Sequence, residues 1–447
     1  MEYVSHIFRR YDIRGVFNKD LNVEIMARLG VAVASFHHAD YVVGGDGRGS
    51  TIPLKLALIS GLLSAGVNVT DIGVVPIGAA MYANLRLRKA MAYVTASHLP
   101  PEWNGVKLSR ANGDLVVGDN VYAIRRLFYS DSELERARYD GVGKLSRLDI
   151  LPSYMGFLSE QMESSSLRIV VDCGNGVASL VAPYVLRNNG HGVRCVNCDV
   201  DPRFPGRGSE PTLENIKELE DAVKKFKANF GVAFDGDGDR TIFVDERGVP
   251  LTAEQAAIVM LEGGEFGDIV ANVECSMVLE EYVRSRGKKV YRVPVGRTFM
   301  INKMRETGAI LGVESSGHYV VRRGINYDDG LLTLVHFADA VASLGKPISK
   351  IVPQVYPLLR DKVPVDDRIK FELMEHFKEK LKTEYGNVET VDGVRVNFEN
   401  SWILVRPSNT EPIIRLTVEA QTKDGALELL RKFKALLVKE AEKFKPK

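Results

Sequence analysis

Short apolar runs ending in glycine or a polar residue recur along this chain, interleaved with stretches whose apolar residues fall at helical spacing. The runs YVVGGD (41–46), MAYVTAS (91–97), LRIVVDCGNG (167–176), FGVAFDGDGDR (230–240) and AILGVES (309–315) are nearly continuous in apolar residues. A sheet with one wet face would alternate instead, so they read as strands buried on both faces, as in sheets covered by helices. Between them LNVEIMARLGVAVASFHH (21–38), PLKLALISGLLSAG (53–66), LENIKELEDAVKKFK (213–227), AEQAAIVMLEGG (253–264) and RTFMINKMRETG (297–308) carry helical periodicity, several with glycine at the end. After about residue 355 the pattern changes to a helix, IKFELMEHFKEKLKTEYG. Short strands VRVNF, SWILVR and IIRLTVEA follow, then an amphipathic helix from Asp424. The fold class is α/β: three similar α/β domains with mixed sheets, then a C-terminal α+β domain.

At 447 residues the chain is too long for one core, which agrees with several domains. Its 59 Lys and Arg nearly balance 58 Asp and Glu, so no global field recruits nucleic acid and any anion must be held locally. The apolar stretch IPLKLALISGLLSAGVNV is broken by Lys55 and glycines, and the N-terminus lacks a signal-like apolar core. No membrane partner is expected, and the cytoplasm is the expected compartment. Cysteines 173, 195, 198 and 275 are too few for a disulfide framework. Cys195-Val-Asn-Cys198 reads either as reduced cysteines beside a strand or as a redox pair.

DGDGDR sets Asp235, Asp237 and Asp239 at alternate positions directly after an apolar strand. Like charges this close are costly unless a cation sits among them, and hard carboxylate oxygens suit Mg2+ or Ca2+. An EF-hand loop would also place Glu246 as a ligand, but it requires glycine where Arg240 stands and a helix where FGVAF reads as strand. Arg240 beside the aspartates makes sense if the metal also holds a phosphoryl group.

Three further clusters are polar. VESSGHYVV places Glu314, Ser316 and His318 at alternate positions; if extended, they point to one side, a donor and acceptor set suited to vicinal sugar hydroxyls. RPSNTEPIIR gathers Arg406, Ser408, Asn409 and Thr410 in a turn with Arg415 on the next strand, a phosphate clamp without the GxxxxGK[ST] of a nucleotide loop. TASHLPPEWNGVKLS sets Ser97 beside His98 where a buried strand ends, the edge at which α/β sheets bind ligands. GGDGRG (44–49) resembles a dinucleotide fingerprint only superficially.

In order, FRRYDIRG, TASH, DGDGDR, ESSGH and RPSNTEP make the sequence resemble the α-D-phosphohexomutase superfamily, most closely its phosphomannomutase/phosphoglucomutase branch. The likeness spans the chain from Arg10 to the last strands. It implies a heart-shaped enzyme around a central cleft that receives one loop from each of four domains: 1–145 with the phosphoserine, 146–247 with the metal, 248–355 for the sugar and 356–447 for phosphate. Ser97 would carry the phosphoryl group and, with Asp235, Asp237 and Asp239, hold Mg2+. Arg14, Lys107 and Arg240 would supply positive charge. Tyr11, Arg297, Glu314, Ser316 and His318 would meet the sugar, while Arg406, Ser408, Asn409, Thr410 and Arg415 would grip the non-reacting phosphate.

The resemblance further implies interconversion of hexose 1-phosphate and hexose 6-phosphate, of mannose or glucose, with hexose 1,6-bisphosphate as activator and intermediate. The partners are then small sugar phosphates; the sequence sets no oligomeric state. Three positions depart from the family pattern: Leu99-Pro100 replaces Asn-Pro, Arg297 stands where histidine often follows VG, and Glu274 stands where relatives can have lysine. Lys107 and His318 are both candidates for proton transfer. Phosphoglucosamine mutase is the rival within the family, although YDIRG and RPSNTEP differ from its usual TDGIRG and RPSGTEP. A metal-dependent sugar phosphatase or a calcium-binding module is the rival outside it.

Overall fold

A computed structural model describes residues 4–322, 324–325, 327–408 and 412–444. Its described strands form four sheets. The first contains β1 (Ile13–Val16), β2 (Tyr41–Gly45), β3 (Val69–Val74), β4 (Ala90–Val94), β5 (Trp103–Ser109) and β6 (Leu145–Arg147), in the order β1-β5-β4-β2-β3-β6. The strands β4, β2, β3 and β6 run parallel, whereas β5 is antiparallel to both β4 and β1, so the sheet is mixed. The second sheet has β7 (Arg168–Asp172), β8 (Gly192–Val196), β9 (Phe230–Phe234) and β10 (Thr241–Val244), in the order β10-β9-β7-β8. Here β7 is parallel to β8 and β9, and β10 returns antiparallel to β9 around the acidic loop.

The third sheet orders β11 (Ile269–Asn272), β12 (Val290–Val293), β13 (Leu311–Val313) and β14 (Tyr319–Val321) as β12-β11-β13-β14, with β11 parallel to β12 and β13. The fourth is antiparallel throughout: β15 (Leu358–Pro364), β16 (Val388–Glu389), β17 (Val394–Asn397), β18 (Ser401–Pro407) and β19 (Ile413–Ala420) pair as β15-β19-β18-β17-β16. The change of grammar near residue 355 is therefore a change from βα units to an antiparallel sheet with helices Asp367–Glu384 and Lys423–Glu442.

The chain divides into two compact units. The first holds residues 1–252, 262–264 and 317–350, and the second holds 253–261, 265–316 and 351–447. In the first, the predicted helix Val23–Phe36 is capped by Asn22, whose side chain accepts from Ile25 N at 2.9 Å. The helix Gly330–Leu344 of the same unit packs Phe337 flat on Phe243, with ring centroids 3.8 Å apart, and edge-on to Phe230 at 5.0 Å. That contact closes the core behind β9 and β10, the strands that flank the acidic loop. In the second unit the C-terminal sheet and its two helices share a core that includes Leu373, Phe377, Ile403, Val418 and Phe433. No helix among the described residues is long and apolar enough to cross a membrane.

Candidate active site

The site of the first unit is built on strand ends. Ser97 follows β4 by three residues and takes a left-handed backbone, φ 54°, which costs a non-glycine residue roughly 1–3 kcal/mol. Its amide donates to Thr95 Oγ1 at 2.7 Å, and its hydroxyl donates to Asp235 Oδ2 at 2.9 Å. The strain is carried by a buried arginine. Arg48 donates to the carbonyls of Ser97 (2.6 Å), Leu99 (2.6 Å), Pro100 (2.5 Å) and Trp103 (3.1 Å), and through Nε to Asp46 at 3.0 Å. Asp46 in turn accepts from Thr95 Oγ1 at 2.7 Å and Thr51 Oγ1 at 2.8 Å. Ser209 Oγ also reaches the Leu99 carbonyl, at 2.8 Å, so position 99 is held by its backbone and the replacement of asparagine by leucine leaves the loop anchored.

The acidic loop behaves as its spacing predicts. Gly238, at φ 80°, turns the backbone back, and Asp235, Asp237 and Asp239 bring ligand oxygens within 4.8 Å of one another, all buried. A strand enters the loop and a strand leaves it, so the helix-loop-helix of an EF-hand is absent here. Lys107, on β5, places Nζ 2.8 Å from both Asp237 and Asp239. Burial, followed by the charges of Asp239 and Asp237, holds Asp235 well above the usual carboxylate range. Asp237 Oδ1 is buried and takes no hydrogen bond among the described residues. A cluster of hard, converging oxygens with an open lone pair and a raised pKa fits a small divalent cation such as Mg2+.

Around this cluster stand the other cations. Arg14, on β1, donates to the Ala96 carbonyl at 3.1 Å and to Asp12 at 2.7 Å. Arg240 pairs with Glu210 at 3.1 Å, and its Nε lies 3.3 Å from His318 Nε2. His318 Nε2 is also 3.3 Å from Asp239 Oδ1 and 3.8 Å from Asp328 Oδ2. One ring nitrogen either accepts from Arg240 or donates to a carboxylate, so its proton is set by which neighbour prevails. His98 Nδ1 is 3.5 Å from Ser97 Oγ, but burial, reinforced by Arg240 and Arg14, pushes this imidazole down to about 2. A base that weak does not activate a serine, so the neighbouring His98 is not a general base for Ser97. Tyr11 is exposed and lies under the Arg10 guanidinium, 5.7 Å from its ring.

The ESSGH segment is not extended. Gly317 adopts φ 86°, so the alternation does not put Glu314, Ser316 and His318 on one side; the chain turns between them. In the second unit Glu314 accepts from Gly296 N at 2.8 Å, just before Arg297 opens the helix Arg297–Thr307, and Ser316 Oγ lies 3.4 Å from Glu314 Oε2. Arg406 and Arg415 are direct cross-strand partners on β18 and β19, as a two-arginine clamp needs. Ser408 is buried at the end of that ladder, and its amide donates to Ile413 O at 3.0 Å. Arg406 is already paired, with Glu274 at 2.7 Å and Asp392 at 3.0 Å. Asn409 and Thr410 lie outside the described residues.

Models of the phosphoglucomutase/phosphomannomutase alpha/beta/alpha domains I, II and III match residues 5–135, 152–248 and 251–359, and the model of its C-terminal domain matches 362–436. The chain belongs to the phosphoglucomutase/phosphomannomutase family. It is 37% identical over 450 residues to a probable phosphoglucosamine mutase of Thermococcus gammatolerans, covering 98% of this chain and 99% of that one. It is 32% identical over 446 residues to a phosphoglucomutase/phosphomannomutase of Thermococcus kodakarensis, covering 96% and 97%. The structure of a phosphoglucomutase/phosphomannomutase family protein from Burkholderia thailandensis superposes with a TM-score of 0.88 at 29% identity, covering 99% and 98%.

Family membership makes this chain a phosphohexomutase, an isomerase acting on sugar phosphates. The hydrogen bonds give GGDGRG a meaning that sequence reasoning missed: Asp46 and Arg48 fasten the serine loop. The available signal was an arginine between glycines at the end of a buried strand, where a ligand-side loop belongs.

Proposed function

We propose that this protein interconverts hexose 1-phosphate and hexose 6-phosphate of mannose or glucose through a phosphorylated Ser97 and a hexose 1,6-bisphosphate. The observation that carries this reading is the Ser97 hydroxyl aimed at Asp235 inside a buried carboxylate cluster, with a backbone fixed by Arg48. Asp235, Asp237 and Asp239, with the Ser97 oxygen, would hold Mg2+, which when bound would neutralise charge on the transferring phosphoryl group.

This chain's own residues do the rest. Phosphorylated Ser97 carries about −1.5 to −2 charges at neutral pH, and Arg14, Lys107 and Arg240 offset them so that an anionic sugar phosphate can approach. Lys107 and His318 are the groups for moving a proton to or from the sugar hydroxyl, since each sits at the aspartate cluster with a titratable nitrogen. Tyr11, Arg297, Glu314 and Ser316 are assigned to the sugar. Arg406, Ser408, Asn409, Thr410 and Arg415 are assigned to the phosphate that does not react. The division into 1–145, 146–247, 248–355 and 356–447 follows the same assignment of serine, metal, sugar and phosphate duties.

A second reading, phosphoglucosamine mutase, is favoured by the name of the Thermococcus gammatolerans relative. Coupled assays on mannose 1-phosphate, glucose 1-phosphate and glucosamine 1-phosphate, each with Mg2+ and the matching bisphosphate, decide between them by kcat/KM. Release of inorganic phosphate without isomerisation would mark a phosphatase and overturn both.

A further inference from the structure

We infer that Cys173 and Cys198 form a thiol pair that a low-molecular-weight disulfide oxidises to an intramolecular disulfide, cross-linking the two turns that follow β7 and β8. The motif in the sequence suggested Cys195 with Cys198, but the structure selects a different partner. Cys173 Sγ lies 2.9 Å from Cys198 Sγ. The two residues extend neighbouring parallel strands: Asp172 is in register with Val196, and Cys173 N donates to Val196 O at 3.2 Å. Cys195 lies inside β8 and also interacts with Cys198, but its sulfur is 3.1 Å from Arg187 Nη2, and the short sulfur–sulfur approach is the one between Cys173 and Cys198.

The pair is asymmetric in the way thiol–disulfide exchange requires. Cys173 is fully buried, whereas Cys198 is partly exposed. Contact with Cys173 foremost, then with Cys195 and nearby backbone, lowers the pKa of Cys198 against the opposing effect of burial, while burial raises that of Cys173. Cys198 is thus the attacking thiolate and Cys173 the resolving thiol. In the first step Cys198 attacks one sulfur of the small disulfide, whose S–S bond breaks and releases a thiolate. That thiolate takes the Cys173 proton, and Cys173 attacks the Cys198 sulfur, expelling the second small thiolate. Two protein thiols are oxidised by two electrons and one small disulfide is reduced to two thiols.

The cross-link lands beside the acidic loop. The turn Asp172–Gly176 is tied to β9 by Arg207, which donates to Asp172 Oδ2 at 2.7 Å and to the Phe234 carbonyl at 2.5 Å, one residue before Asp235. Val177 N then reaches Gly236 O at 3.3 Å. The turn after β8 is fastened to the same place by Asn175, whose Nδ2 donates to Asp199 O at 3.0 Å. Oxidation joins two turns that together underlie the loop.

The test starts from the fully reduced full-length protein, incubated with oxidised glutathione and then mapped by mass spectrometry after alkylation of free thiols. The expected product has lost two of its thiols, is two hydrogens lighter, and yields one cross-linked peptide containing Cys173 and Cys198. Cys195→Ser should give the same product, and Cys198→Ser should give none. The oxidised wild-type protein should also unfold at a higher temperature than the reduced one, with the difference erased by dithiothreitol. A Cys195–Cys198 cross-link, a stable glutathione adduct at Cys198, four retained thiols or an unchanged unfolding temperature would each overturn the inference. The wild-type map decides the pairing even if a variant fails to fold.

Discussion

Replacing Arg48 by lysine tests whether the serine loop is held from behind. The arginine uses its planar fork to make five hydrogen bonds, four to the carbonyls of Ser97, Leu99, Pro100 and Trp103 and one to Asp46, and its side chain is wholly buried. An ammonium has three N–H groups and one point of attachment, so at least two of these bonds are lost. At about 1.5–3 kcal/mol for each bond to a charged group, the loop loses roughly 3–6 kcal/mol of restraint. That exceeds the roughly 1–3 kcal/mol by which the left-handed backbone at Ser97 is disfavoured, so the serine relaxes away from Asp235. A displacement near 1 Å costs on the order of 10²-fold in rate. Because Arg48 contacts the loop and not the assigned sugar or phosphate residues, Arg48→Lys should lower kcat about 10²-fold while KM for the sugar phosphate changes little. Steady-state assays read both constants, and circular dichroism checks the fold. A wild-type kcat, or a raised KM at unchanged kcat, would refute the reasoning.

Ser97→Ala should take up no label from phosphate-labelled hexose 1,6-bisphosphate while remaining folded; retained labelling would exclude Ser97 as carrier. Mg2+ should stabilise the wild-type protein by about 2.7 kcal/mol at a hundredfold excess over its Kd, and Asp237→Asn, which removes one converging carboxylate, should lose most of that gain in thermal shift. Arg406→Ala should mainly raise KM, since it loosens a contact made in ground and transition states alike, and a fall in kcat alone would contradict the clamp. His98 sets a pH dependence: its folded pKa of about 2 lies below the ordinary value of 6.5, so the unfolded chain binds a proton first and stability falls as pH drops below 6.5. Between pH 6.5 and 5 this amounts to about 2 kcal/mol, and urea titrations of Ser97→Ala with and without His98→Gln should differ by that slope.

The features that were legible in the sequence are those whose chemistry repeats at fixed spacing. Buried parallel strands announce themselves as continuous apolar runs: β2, β7, β9 and β13 fall within the runs that predicted them, and β4 begins one residue before its run. The acidic loop was legible because three like charges after a buried strand have few reasons to exist other than a cation. The strand β5 was harder to see: WNGVKLS mixes Trp, Asn, Gly and Lys, yet its pairing with β4 and β1 makes it extended and puts Lys107 at the aspartates. Tertiary pairing overrode local composition there. The ESSGH alternation misled for the opposite reason, since one glycine at positive φ cancels a period of two.

Arg48 shows a third kind of illegibility. Its partners are mainly carbonyl oxygens, which every residue possesses, so no pattern of side chains in TASHLPPEW marks them as bound. The same holds for Leu99, whose contribution is its carbonyl. A departure at that side chain therefore says little about the loop, whereas Glu274 and Asp392 act through their own carboxylates on Arg406. Two acids on the arginine assigned to grip phosphate mean that an incoming phosphate must compete for its guanidinium. The charge at position 274 then bears on how tightly the remote phosphate is held, and Glu274→Gln, which keeps the shape and removes the competing charge, should lower KM with kcat nearly unchanged. An unchanged or raised KM would show that Glu274 orients Arg406 instead of competing for it.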